Sequence, residues 1–287
     1  MIARLCKLAM FSACLSAQTP AHSDVDFYSK EKRAALGVRL ATEVRKQTSA
    51  IPDSAVHDYL ERLGRRLAAQ LRVADLDWEF AVVGDDVGGS THEALSLPGG
   101  HIFVPASLIL AVDNEAELAG MLAHSMAPIA EGFGPPIAAR GRAGDSSNVP
   151  LVCGRGWTGM GAAGNGDRAY APEECLKIWR SNELAADRVA VHVMAAAGYE
   201  PAALLDYIRR TQRDLAPASV KYSVLPPREI RIGALETAVA NLPSRSGPSG
   251  GEFGAIQDRV RELAAPSVGK PPSALKQPPS LRRADEQ

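Results

Sequence analysis

The chain lacks any apolar run of the roughly 18 residues that a bilayer-spanning helix needs, so no membrane-spanning segment is read from it. It also lacks an excess of charge of either sign: the net charge is −1, which leaves no basic face for nucleic acid. Aromatic residues are few, at 5%. Even so, 46% hydrophobic and 23% charged residues are ordinary globular usage, so wholesale disorder is excluded as well. A length of 287 residues is enough for one sizeable core, or one core with an appendage.

Cysteine is scarce too, with four in the chain, and what they mean depends on the N-terminus. Arg4 and Lys7 precede an apolar stretch from Leu8 to Ala17, the charged start and short greasy core of a secretory signal peptide over residues 1–17. Phe11-Ser12-Ala13-Cys14 offers an alternative: a bacterial lipobox, at which a lipid on Cys14 would associate the chain with a membrane. Either route exports the protein to the periplasm or envelope. Cys153 and Cys175 then remain, bracketing a Gly-rich loop. In an oxidising compartment they form either a disulfide, stabilising the fold by roughly 3 kcal/mol through loop closure, or two buried free thiols.

Periodicity divides the rest. Ser29 to Thr48 and Asp53 to Leu71 read as helices, the second with Val56, Leu60, Leu63, Leu67 and Leu71 on one stripe. Trp78, Phe80 and Val82 then alternate with Glu79 and Ala81, the period of a strand, and Gly84-Asp85-Asp86 ends the run. Ala94 to Leu97 is a second extended piece. It turns through Pro98-Gly99-Gly100 into His101-Ile102-Phe103-Val104, a hairpin-like arrangement. Asn114 can cap a helix that carries His124, with Glu115 and Glu117 in its first turn to suit the dipole. Composition is loose in Gly, Pro and Ser from Glu131 to about Pro172. Helices follow from Pro172 to Ala197, stopped by Gly198, then from Pro201 to Leu215 and from Pro227 to Leu242. Pro243 to Gly251 reads as a linker, Phe253 to Ala264 as one short helix, and Pro266 to Gln287 as a basic tail too rich in Pro, Lys and Arg to pack. Gly159-Met160-Gly161-Ala162-Ala163-Gly164 matches G-x-G-x-x-G, but no strand of a βαβ unit leads into it, so it reads as a loop rather than a dinucleotide site.

The chemistry centres on His124-Ser125-Met126-Ala127-Pro128. A zinc peptidase helix needs H-E-x-x-H: two imidazoles four apart face one metal, and the Glu between them polarises the attacking water. His124 holds the first position. Ser125 stands where the general base should be, and a neutral hydroxyl cannot take a proton from water near pH 7. Pro128 stands at the second ligand position and removes a helix hydrogen bond, which costs about 3 kcal/mol in a helix interior or forces a kink.

Several stretches around this one resemble metallopeptidase family forty-eight, the family of HtpX, the CAAX prenyl endopeptidase and the BepA-like periplasmic proteases. They are Phe27-Tyr28-Ser29, Leu97-Pro98-Gly99-Gly100-His101-Ile102-Phe103-Val104, Asp113-Asn114-Glu115-Ala116-Glu117-Leu118-Ala119-Gly120 and Glu183-Leu184-Ala185-Ala186-Asp187. Pro150-Leu151-Val152 with Gly156-Trp157, and Pro226-Pro227 followed by Arg231, are similar to the family's later segments. The resemblance implies an α+β, mostly helical zincin (gluzincin-like) fold with a small sheet or edge hairpin. It implies a peptidase-like domain over residues 26–242, with 243–287 as linker, short helix and tail.

It further implies His124 and Glu183 as zinc ligands, Asp187 behind His124 as a hydrogen-bond acceptor, and Leu95, Ser96 and Leu97 as the edge strand that aligns a polypeptide substrate or client. Zinc is the cofactor of the family, but here two protein ligands remain where catalytic zinc has three, which argues against tight binding. Substitutes are not apparent. His192 lies nine residues beyond Glu183, about half a turn around the helix, and Ser125 diverges from His124 by about 100°, too far for a nucleophile and base pair. His92 and His101 belong to the edge hairpin, whose reach to the metal stays open. The expectation is an exported pseudopeptidase, inactive or severely impaired, that binds unfolded envelope polypeptides; the alternative is an active zinc metalloendopeptidase of protein quality control.

Overall fold

The stripe of Val56, Leu60, Leu63 and Leu67 is the seam along which the fold closes, each of these side chains being almost wholly buried in one continuous core. The computed structural model describes residues 30–71, 73, 76–84, 93–131, 137–138, 151–152, 173–214, 223–244 and 251–264. The signal segment, the lipobox with Cys14, His92, the glycine motif at 159–164, the basic tail and Cys153 of the Cys153/Cys175 pair lie outside these residues.

In chain order the elements are α1 (Lys30–Gln47), α2 (Ser54–Ala68), β1 (Glu79–Val83), β2 (Leu95–Leu97), β3 (His101–Pro105), α3 (Ala106–Ala111), α4 (Glu115–Ala130), β4 (Ile137–Ala138), β5 (Leu151–Val152), α5 (Glu173–Ala197), α6 (Ala202–Thr211), α7 (Arg228–Ala240) and α8 (Glu252–Ala264). This is a mostly helical α+β fold with a small sheet, as the family resemblance implied. Among the described residues no helix is long and apolar enough to cross a membrane.

The three-stranded sheet has the order β1-β3-β2. β2 and β3 form the expected antiparallel hairpin, with Leu97 opposite His101. Its turn depends on Gly99 and Gly100, whose φ of 83° and 91° are open to glycine but strained for other residues. β1 pairs in parallel with β3, Glu79 opposite His101, so the middle strand is the last in sequence and β2 lies at the edge. β4 and β5 make a separate two-stranded pair.

Two helices carry the candidate site, and local signals set their ends. Asn114 caps α4, its side-chain oxygen accepting from Glu117 N at 3.0 Å. α5 ends at Gly198 (φ 89°), where Tyr199 N donates to Met194 O at 2.8 Å and Gly198 N to Ala195 O at 3.2 Å, a Schellman stop. α4 packs along α5, and Gly120 makes the close approach possible. A Cβ there would meet Leu204 Cβ at 3.0 Å and Met194 Sδ at 3.1 Å. This contact brings His124 to the face of α5 that carries Glu183 and Asp187.

Three features differ from the sequence reading. α3 had no helical signal, because six residues hold less than two turns of periodicity. α8 was expected outside the peptidase-like domain, yet Phe253, Ile256 and Val260 are buried in the main core. Gln257 Nε2 donates to the carbonyls of Ile109 and Val112 at 2.9 and 2.8 Å, so the packed unit reaches Ala264 rather than ending at Leu242. Finally, α4 continues through Pro128 to Ala130 rather than ending there. Pro128 leaves the His124 carbonyl without its helix donor, but at the end of the helix Glu131 N still closes on Ala127 O at 2.9 Å.

Candidate metal centre

His124 comes from the middle of α4 and is 5% exposed; Glu183 and Asp187, one turn apart on α5, are 4% and 1% exposed. The imidazole lies between the two carboxylates. Its Nδ1 is 2.9 Å from Asp187 Oδ1, and its Nε2 is 3.4 Å from Glu183 Oε2. An ionised carboxylate only accepts, so Nδ1 carries the proton donated to Asp187, and Nε2 is the nitrogen turned toward Glu183. Behind Asp187 stands Arg231 of α7, itself 1% exposed. It donates through Nε to Oδ2 at 2.7 Å and through Nη2 to Oδ1 at 2.9 Å, a two-pronged clamp. The remaining Nη1 reaches Gln212 Oε1 at 3.3 Å.

This network keeps its charges despite burial. For Asp187, burial favours the neutral acid, but hydrogen bonds from Arg231 and His124 prevail and hold the carboxyl far below its usual range. Burial likewise opposes charge on His124; the hydrogen bonds and field of Asp187 and Glu183 override it and push the imidazole up to about 10. The donors suit a divalent cation. Two atoms bonded to one tetrahedral zinc at about 2.1 Å stand roughly 3.4 Å apart, which is the spacing of His124 Nε2 and Glu183 Oε2. Asp187, holding Nδ1–H at 2.9 Å, stands where an outer carboxylate would orient a ligating histidine.

The substituted positions do not contribute. Ser125 is 5% exposed, and its hydroxyl donates to Met121 O, one turn back in the same helix, at 2.9 Å. His192 is exposed, its Nδ1 2.7 Å from Arg188 O. His101 pairs with Glu79 Oε2 at 2.7 Å, and Glu79 also pairs with Arg45; this histidine lines a different cavity, of about 500 Å³, with Val38, Asp77 and Trp78. On the edge strand Leu95 and Ser96 are half-buried and Leu97 is buried, and the strand lies beside α4.

Sequence reasoning missed two residues. Arg231 was noted only as a point of resemblance; its role needs the packing of α7 on α5. Glu93 went unremarked because nothing in its spacing connects it to His124. A ligand atom of Glu93, one of His124 and one of Glu183 all lie within 4.8 Å of one another. Glu93 precedes β2 by two residues, so it joins the edge strand to the buried cluster.

Fold and site together give a mostly helical domain with a buried His, Asp and Glu cluster between two packed helices. Residues 54–132, from α2 to the end of α4, match the model of Peptidase family M48, which is the family the motifs implied. The chain is similar to the beta-barrel assembly-enhancing protease of Yersinia pestis, 25% identical over 196 residues that cover 63% of this chain and 38% of that protein. It is also similar to the protein of the same name from Escherichia coli O157:H7, 23% identical over 226 residues covering 74% and 43%. A putative beta-barrel assembly-enhancing protease of Vibrio cholerae is 23% identical over 182 residues, covering 61% and 37%. The chain thus spans about two fifths of the length of the curated relatives it matches.

Proposed function

We propose that this chain is an exported zincin-type domain whose peptide-bond hydrolysis is severely impaired and which holds unfolded envelope polypeptides along the edge of β2. The observation that carries the reading is the Ser125 hydroxyl, buried and committed to Met121 O within its own helix. Where the reaction needs a carboxylate to take a proton from water, the chain offers a neutral donor already in use. Loss of such a base forfeits on the order of 10²–10⁴ in rate. Pro128 removes an imidazole as well, so His124 and Glu183 are what remains of the zinc centre. A zinc ion bound to them would polarise a water or a carbonyl oxygen. His124 is oriented for that role by Asp187 and Arg231, and no residue of α4 supplies the base.

Binding on β2 rests on its place at the sheet edge, where an extended polypeptide can add as a further strand. Export rests on the 1–17 segment, and the kind of client on the name of the relatives, which speaks of beta-barrel assembly. A second reading, an active zinc endopeptidase in protein quality control, is favoured by the intact His124, Glu183, Asp187 and Arg231 network. Incubating the purified chain with casein and zinc separates the two. The first reading expects no chelator-sensitive cleavage together with measurable casein binding; cleavage that chelator abolishes would overturn it.

A further inference from the structure

The loss of the second imidazole leaves a gap in the donor set, and among the described residues Glu93 stands beside the two donors that remain. The geometry points to Glu93 as the third protein ligand of a Glu93, His124 and Glu183 site for a divalent cation, taking the place that Pro128 leaves. This rests on the reading of His124 and Glu183 as a retained metal centre, but not on the loss of hydrolysis.

Three observations converge. One ligand atom from each residue lies within 4.8 Å of the other two, the span that donors around a common ion require. The residues come from three separate parts of the fold: the entry to β2, the middle of α4 and the middle of α5. Neighbours along one helix therefore do not explain their meeting. And the His124 ring is held from behind: Nδ1–H goes to Asp187 at 2.9 Å, Asp187 is gripped by Arg231, and Nε2 stands 3.4 Å from Glu183 Oε2. Asp187 and Glu183 already balance a charged His124, so a third carboxylate brought in from the segment before β2 goes beyond what a buried structural histidine needs.

The substitution changes the character of the site. Two imidazoles and one carboxylate make a zinc-type set; one imidazole and two carboxylates make a harder, oxygen-rich one. Such a set binds Zn²⁺ and Co²⁺, and its preference for them over Mn²⁺ is smaller than that of a two-imidazole site. Glu93 also leads directly into β2, so a cation at this place fastens the start of the polypeptide-binding edge to the centre of the fold.

The test is Co²⁺ titration of the full chain, stripped of metal by chelator, with the visible absorption bands of bound Co²⁺ as readout and Zn²⁺ and Mn²⁺ as competitors. One Co²⁺ per chain is expected, weakened at least tenfold in Glu93→Gln and abolished in His124→Gln. Pro128→His placed in the Glu93→Gln chain returns an imidazole four residues from His124 and should recover the affinity. Thermal melts of the stripped proteins check that Glu93→Gln folds like the parent, which its equal size favours. No Co²⁺ uptake by the parent overturns both the retained centre and the role of Glu93. Uptake indifferent to Glu93→Gln overturns Glu93 as a ligand, and no recovery on adding Pro128→His overturns only its standing in the place that Pro128 leaves. Casein cleavage remains the separate test of impaired hydrolysis.

Discussion

Arg231 of α7 holds Asp187 of α5 through two donors, Nε at 2.7 Å and Nη2 at 2.9 Å, and both residues are 1% exposed. The pair fastens α7 to the centre of the fold and fixes the acceptor on which the His124 ring turns. Two charges this deeply buried are tolerated only together.

Removing one of them is therefore costly. Asp187→Ala leaves the Arg231 guanidinium buried without its carboxylate, with an expected loss of about 3–5 kcal/mol in urea denaturation. Replacing both at once, as Asp187→Leu with Arg231→Met, should recover most of that loss while leaving His124 without its acceptor. A double variant as unstable as Asp187→Ala would mean that the pair is not the unit of stability.

Acid should act on a different contact. The Asp53 carboxyl is lowered chiefly because it accepts from Val56 N as the cap of α2, with burial opposing and Arg259 of α8 assisting. A carboxyl with a folded pKa below its unfolded value contributes stability above the unfolded value, near 4, and loses it as pH falls through the folded one. Asp53→Asn is therefore expected to melt earlier than the parent at pH 7. The gap should narrow as pH drops below about 4; a gap unchanged at pH 2.5 would exclude the linkage.

The fold was legible where residues repeat and obscure where distant segments meet. Val56, Leu60, Leu63 and Leu67 announce a buried helix face by spacing alone, and Gly198 announces where α5 stops. The alternation of Trp78, Phe80 and Val82 indicates a strand, but nothing local says that β1 pairs in parallel with β3 rather than extending a hairpin. At the site the split is the same. His124, Glu183 and Asp187 stand out through motifs on two helices, whereas Glu93 and Arg231 enter through tertiary packing, which no spacing encodes. The helix α8 was legible as a helix but not as part of the core, because three apolar side chains beyond a Pro/Gly/Ser linker also suit an appendage.

The edge of β2 can be tested without touching the cluster. Ser96 is the half-buried middle residue of a three-residue strand, opposite Ile102 of β3. Ser96→Pro takes away a backbone N–H and fixes φ, which spoils the strand as a template for a further one. Fluorescence anisotropy with labelled, unfolded casein should show binding weakened about tenfold or more. Ser96→Thr, which keeps the backbone groups, should bind like the parent. Equal binding by all three proteins would place the client elsewhere.

Reversion probes what the two substitutions at the centre cost. Ser125→Glu restores a carboxylate between His124 and position 128, and Pro128→His restores the second imidazole along with a backbone N–H that can return to the His124 carbonyl. Pro128→His alone should raise zinc affinity and leave casein uncut, because the base is still missing. Ser125→Glu alone supplies a base next to an incomplete centre and should gain little. Together they should bind zinc tightly and gain chelator-sensitive casein cleavage, by up to the order of 10²–10⁴ that a positioned general base contributes. The ordering is the informative part: a metal gain without cleavage in the single Pro128→His variant, followed by cleavage in the double variant, separates the ligand from the base. If Pro128→His gains no zinc affinity, the face of α4 one turn beyond His124 no longer points at the ion, and the centre has diverged beyond the two visible substitutions.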